Sequence, residues 1–140
     1  MEYYNRNLKI VCNMITEDYV SFETAKLLQE KGFNEDFNKS YSQNGTLISN
    51  FTETCVPAPT LYVVIKWLRS VYDINIQVML DSWSAAYGSM GYYIVLNQKN
   101  GELEDISPIL DINSDDNVFF DTYEEAAEKA IDYVVKNLLK

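Results

Sequence analysis

The stretch Thr60-Leu61-Tyr62-Val63-Val64-Ile65-Lys66-Trp67-Leu68-Arg69-Ser70-Val71-Tyr72, continuing into Asp73-Ile74-Asn75-Ile76-Gln77-Val78-Met79-Leu80, decides the fold class. In its first half, Leu61, Val64, Ile65, Leu68, Val71 and Tyr72 recur at the i, i+3, i+4, i+7 spacing that lines one side of an α-helix. Tyr62, Val63 and Trp67 widen that stripe, leaving Lys66, Arg69, Ser70 and Asp73 as a narrow polar strip. The expectation is a helix over about 60–72, and the most buried helix of the chain. In the second half the period falls to two. Ile74, Ile76, Val78 and Leu80 alternate with Asn75, Gln77 and Met79, the pattern of a half-buried strand.

Toward the N-terminus, Pro57-Ala58-Pro59 breaks the chain, with Pro59 suited to the first turn of the helix that follows. Within Tyr41–Ile48, Asn44-Gly45 tolerates the positive φ angles of a type I′ turn and predicts a hairpin. Ser21 offers an N-cap to a helix over Phe22–Lys31, and Gly32 is placed to end it. Phe22, Ala25 and Leu28 share a face of that helix, with Phe33 closing over its end. Leu8, Ile10, Cys12 and Met14 alternate with Lys9, Val11, Asn13 and Ile15 as a first strand.

Toward the C-terminus, Tyr92–Leu96 reads as a strand, Asn100-Gly101 as a tight turn, and Glu102–Ile112 as a returning strand that Pro108 confines to an edge. Thr122-Tyr123-Glu124-Glu125 is a capping box opening a last helix. Its buried face is Ala127, Ala130, Ile131, Val134, Val135 and Leu138. Glu125–Lys129 and Asp132–Lys136 are spaced for ion pairs on the outer face. The fold class is thus α+β: three helices packed on one face of a mostly antiparallel sheet of about five strands. A chain of 140 residues makes this a single domain over 1–140, with 1–19 as an N-terminal strand or extension.

Hydrophobic residues make up 47% of the chain, far above the range of disordered sequences. No apolar run approaches the roughly 20 residues that span a bilayer, and the first residues lack the basic and apolar regions of a signal peptide. Cys12 and Cys55 stand apart without CxxC spacing and read as reduced core thiols, although a disulfide between them is compatible with the sequence. The expected setting is cytoplasmic, with no membrane partner. The net charge of −10 is unevenly spread. Residues 1–60 hold 8 acids and 5 bases (−3), residues 61–100 hold 2 and 3 (+1), and residues 101–140 hold 11 and 3 (−8). Phosphate binding needs clustered lysine and arginine, so direct nucleic-acid binding is disfavoured.

Histidine is absent, which removes Ser-His-Asp and Cys-His nucleophilic sites, most catalytic zinc sites and the usual general base near neutrality. Neither G-x-x-x-x-G-K-[ST] nor G-x-G-x-x-G occurs. In Asp111–Asn117, oxygen side chains at positions 1, 3 and 5 resemble a calcium loop. Position 6 is Asp116 where glycine is needed, and position 12 is Thr122 where glutamate is needed. The segment is read as a solvated turn, and no metal, cofactor or catalytic residue is assigned.

Two surfaces are left as interaction candidates. Trp83, Tyr87, Tyr92 and Tyr93 surround the small residues Ser84-Ala85-Ala86 and Gly88-Ser89, and could build a ligand pocket, a partner patch or merely a cover for one sheet end. Asp115, Asp116, Asp121 and Glu124 crowd in polar surroundings, as a solubilising surface or as one that imitates nucleic-acid phosphates or docks a basic partner.

Three stretches carry a family resemblance: Val20-Ser21-Phe22-Glu23-Thr24-Ala25-Lys26-Leu27-Leu28 running to Lys31-Gly32-Phe33; Ala58-Pro59-Thr60 leading to Lys66-Trp67-Leu68-Arg69 and Ile74-Asn75-Ile76; and Thr122-Tyr123-Glu124-Glu125-Ala126. In this order they resemble a family of small uncharacterised proteins of phages, prophages and mobile elements in gut Bacteroidetes. The resemblance runs from about Val20 to the C-terminus and implies a genomic context, with no catalytic residues to carry over. The expected function is that of a non-enzymatic accessory protein contacting an unknown host or phage protein, with a homodimer through the Trp67 or Tyr92 surface compatible with it. The alternative is a small-molecule-binding domain or minor enzyme using the aromatic loop near Trp83–Tyr93.

Overall fold

A computed structural model describes residues 16–35, 37–49, 52–81, 91–97, 103–105 and 119–140. The expected first strand, the Asn100-Gly101 turn, the Asp-rich turn with Asp115 and Asp116, and Cys12, Trp83 and Tyr87 lie outside the described residues.

Three helices form. α1 (Phe22–Glu30) starts where the Ser21 hydroxyl accepts a hydrogen bond from the Thr24 amide at 3.2 Å. It ends at Gly32, whose φ of 84° carries the chain out of the helix while the Phe33 amide bonds back to the Leu28 carbonyl. α2 (Leu61–Tyr72) is capped by Thr60, whose hydroxyl accepts from the Val63 amide. The helix therefore begins after Thr60, and Pro59 stays outside it as a fully buried residue. α3 (Tyr123–Asn137) is capped by Thr122, which accepts from the Glu125 amide at 3.1 Å. Only the hydroxyl half of the expected capping box forms, as no bond returns from the Glu125 carboxylate. Of the two expected ion pairs, Asp132–Lys136 closes at 2.8 Å, and Glu125–Lys129 is not formed.

Among the described residues the strands are antiparallel and form two three-stranded sheets, and a single sheet of about five is not seen. The first orders β2 (Leu47–Ile48), β1 (Ser40–Tyr41) and β3 (Val56–Pro57). The second orders β4 (Asn75–Leu80), β5 (Tyr92–Asn97) and β6 (Leu103–Asp105). Pro57, which cannot donate to a ladder, sits on an edge strand of the small sheet. The hairpin between β1 and β2 also differs from the expected type. Asn44 keeps a negative φ and Gly45 alone takes φ 82°. The Gly45 amide closes a turn onto Ser42 and the Ser42 amide bonds to the Thr46 carbonyl. This is the longer loop with a left-handed glycine after the turn, rather than the two-residue I′ connection.

The expectation that α2 would be the most buried helix is corrected. α3 holds that place, with Ala126, Ala127, Ala130, Ile131, Val134 and Val135 all excluded from solvent, and it touches α1, α2, β4 and β5. Its three alanines are what let several elements approach one helix closely. α2 buries only Leu61, Val64, Trp67 and Leu68. Val71, at the overhanging end, is 58% exposed. α2 and α3 cover the larger sheet, and α1 joins α3 to the small one through β3.

Helix α2 ends on Asp73, the one described non-glycine residue with positive φ (56°). A Cβ in this conformation costs energy, and a carboxylate at a helix C-terminus opposes the dipole. Asp73→Gly is expected to raise stability by about 1 kcal/mol, read as a higher urea midpoint at unchanged slope. An unchanged or lower midpoint would contradict the left-handed cap.

Candidate functional site

The described polar and aromatic side chains converge where the segment before α1 meets the start of α2. The Leu61 amide, one of the donors a helix start leaves unpaired, bonds to the Asp18 carbonyl at 3.0 Å. The Val20 amide bonds to the Pro59 carbonyl at 3.1 Å, and Tyr19 bridges Thr60. Val20 is fully buried. The backbone thereby holds Glu17 and Asp18, both exposed, against the N-terminal turn of α2.

Tyr62, in that turn, is 68% exposed. Three open grooves meet at its ring. One, of about 370 Å³, runs over Phe37, Asn38, Pro59 and Val63. A second, of about 400 Å³, runs along α2 past Lys66 and Ser70 to Glu35. The third, of about 250 Å³, lies between Glu17, Asp18 and Leu61 on one side and Tyr123 and Glu124 of α3 on the other. Phe37 and Tyr123 are themselves exposed. Sequence reasoning placed Tyr62 on the apolar face. The signal against that was present, because Tyr62 precedes Lys66 by four residues and Arg69 by seven, which puts it on the polar strip itself.

A second polar constellation lies at the start of α1. Glu128 Oε1, from α3, accepts from the Ser21 amide at 3.0 Å and from the Thr24 hydroxyl at 2.9 Å, while Ser21 Oγ donates to Thr24 Oγ1. Glu128 Oε2 is buried without a hydrogen-bond partner. Nearby, the Tyr41 hydroxyl donates to the Val20 carbonyl at 2.7 Å. Burial, and secondarily the charge of Glu128, hold the Tyr41 phenol above its ordinary pKa of 10.0. These groups tie the start of α1 to α3.

Cys55 was expected in the core. It is instead a half-buried free thiol in the turn after Thr52, with Sγ 3.0 Å from Thr52 Oγ1. Hydrogen bonds from Thr52 first, and then from Ser40, pull the thiol below its ordinary pKa.

Of the residues singled out in the sequence, Tyr92 and Tyr93 are successive on β5 and so point to opposite sides of the sheet. Tyr92 meets the ring of Tyr123 edge-on at 6.3 Å, and Tyr93 stands opposite Met79. Asp121 and Glu124 are both exposed at the start of α3, and Glu124 lines the groove with Tyr62. Trp67 is 6% exposed, wedged edge-on against Phe33 and Tyr72. It is a core residue. No three His, Cys, Asp or Glu residues gather as a metal site among the described residues. No helix among them is long and apolar enough to cross a membrane.

The chain matches no family model, no curated protein and no solved structure.

Proposed function

We propose that this protein acts by contacting another protein through the surface centred on Tyr62, and not by catalysis. The observation that carries this reading is the exposure of Tyr62 at the meeting point of three grooves, with Phe37 and Tyr123 exposed on their far sides. Tyrosine combines a large rigid apolar area with a polar tip, and it is enriched among the residues that dominate binding energy at interfaces. The sequence resemblance set out above supports an accessory protein of a phage or mobile element as the setting, with a host or phage protein as the partner.

The test is photo-crosslinking in cells carrying the full chain, with benzoylphenylalanine placed at Tyr62 or at Phe37. The expected result is one defined adduct from both positions and none from the same residue placed at Asn137, on the exposed end of α3. No adduct from Tyr62 or Phe37, or an equal smear from all three positions, would overturn the reading.

A further inference from the structure

The groove between the N-terminal turns of α2 and α3 differs in chemistry from the other two that meet at Tyr62. Its walls are the rings of Tyr62 and Tyr123 and the side chain of Leu61, and its rim carries the carboxylates of Glu17, Asp18 and Glu124. Among the described residues no lysine or arginine lines it. Among the described residues none of these three acids has an ion-pair partner, since the ion pairs formed are Lys26–Glu23 and Lys136–Asp132. The two helix N-termini each contribute roughly half a positive charge. Against three carboxylates that leaves a net of about −2 around the notch. The Tyr62 ring stacks on no other described aromatic ring, so its faces are available, whereas Tyr123 already presents its ring to Tyr92.

We propose, resting on the interaction reading above, that this notch receives an arginine side chain from a basic segment of the partner protein. An arginine has an apolar stem that lies along Leu61, a planar guanidinium that stacks on a tyrosine face, and a donor fork that matches a carboxylate. A lysine supplies the charge without the plane or the fork, and an uncharged side chain leaves the rim unpaired. Salt weakens the contact through its carboxylate part and leaves the stacking part in place. The −10 net charge of the chain adds a long-range pull on any basic segment, which raises the association rate more than it selects the site.

The experiment titrates the full-length, isotope-labelled chain with acetyl-Gly-Ala-Arg-Ala-Gly-amide and follows backbone amide shifts at low salt. The expected result is weak saturable binding with shifts centred on Leu61–Val63 and Tyr123–Glu124. Replacing arginine by its uncharged isostere citrulline should weaken binding about tenfold, and Tyr62→Ala should do the same, each equivalent to about 1.4 kcal/mol. Glu23→Gln, on the exposed side of α1, should leave it unchanged. Equal binding of the citrulline peptide would overturn the proposal, as would no saturable binding, or Glu23→Gln weakening it as much as Glu17→Gln does. An adduct from Tyr62 in cells together with a failed peptide titration keeps the protein-contact reading and removes the arginine. Failure of both removes both.

Discussion

Trp67→Ala is expected to remove about 3–5 kcal/mol of stability, the range for truncating a large aromatic side chain in a core. The side chain is nearly excluded from water and stands edge-on between Phe33 at 5.2 Å and Tyr72 at 5.1 Å. Phe33 is where the chain leaves α1, and Tyr72 is the last residue of α2, donating from its hydroxyl to the Lys31 carbonyl at 3.4 Å. The indole thus joins the end of one helix to the end of another. Its loss opens a cavity that neither helix can close without breaking its own cap. Aromatic pairs of this geometry contribute about 0.5–1.5 kcal/mol each beyond burial, so Trp67→Phe should keep much of what Trp67→Ala loses. A domain of this size has about 5–15 kcal/mol in hand, so the alanine variant should still fold, with an early urea transition by far-ultraviolet circular dichroism. A loss below about 1 kcal/mol would mean that Trp67 is not enclosed as described.

How much of this was legible in the sequence depends on how local the determining physics is. The caps were legible, because Ser21, Thr122 and Gly32 act on amides within a few residues of themselves. The pairing of β4 with β5 was half legible, since alternation shows a strand but not its neighbour. The division into two sheets was not. It depends on Tyr41 standing opposite both Leu47 and Val56, and on the Thr60–Leu61 turn fastening to Asp18 and Tyr19 across more than 40 residues. Periodicity also misplaced the burial maximum. Counting large apolar residues favours α2, but burial follows position, and the alanines of α3 let it sit in the middle. The same counting hid Tyr62, which belongs by spacing with Lys66 and Arg69 rather than with Leu61 and Leu68. Glu124 stands 106 and 107 positions from Asp18 and Glu17, and only the fold brings it to their groove.

Glu128→Ala is expected to cost about 2 kcal/mol, the balance of two opposed effects. A hydrogen bond to a charged acceptor contributes about 1.5–3 kcal/mol, and Glu128 Oε1 takes two, from the Ser21 amide and the Thr24 hydroxyl. Against this, Oε2 is buried without a partner, a standing penalty of about 1–3 kcal/mol that alanine relieves. The bonds win because they form a connected chain: Ser21 Oγ donates to Thr24 Oγ1, which donates to Glu128, and Thr24 is almost wholly buried. In a capping box the third helical residue reaches back to the N-cap amide. Thr24 holds that position in α1, and Glu128 takes over the Ser21 amide from another helix, so the local Ser21 cap is completed only once α3 has docked. Ser21→Ala and Glu128→Ala should therefore be non-additive, the double variant losing less than the sum of the singles. Glu128→Gln separates charge from geometry. It keeps an acceptor at Oε1, so it should cost less than alanine, and it removes a negative charge that helps hold the Tyr41 phenol above its ordinary pKa. That phenol has a raised pKa in the folded state, so its contribution to stability is complete below pH 10 and is lost as the pH rises through the folded value. In Glu128→Gln the folded pKa of Tyr41 should move down toward 10 yet stay above it, because burial is the larger cause. The stability lost on the alkaline side should shrink with it. An unchanged Tyr41 titration, followed by the carbon shift of its ring, would show that Glu128 caps α1 without its charge reaching the phenol.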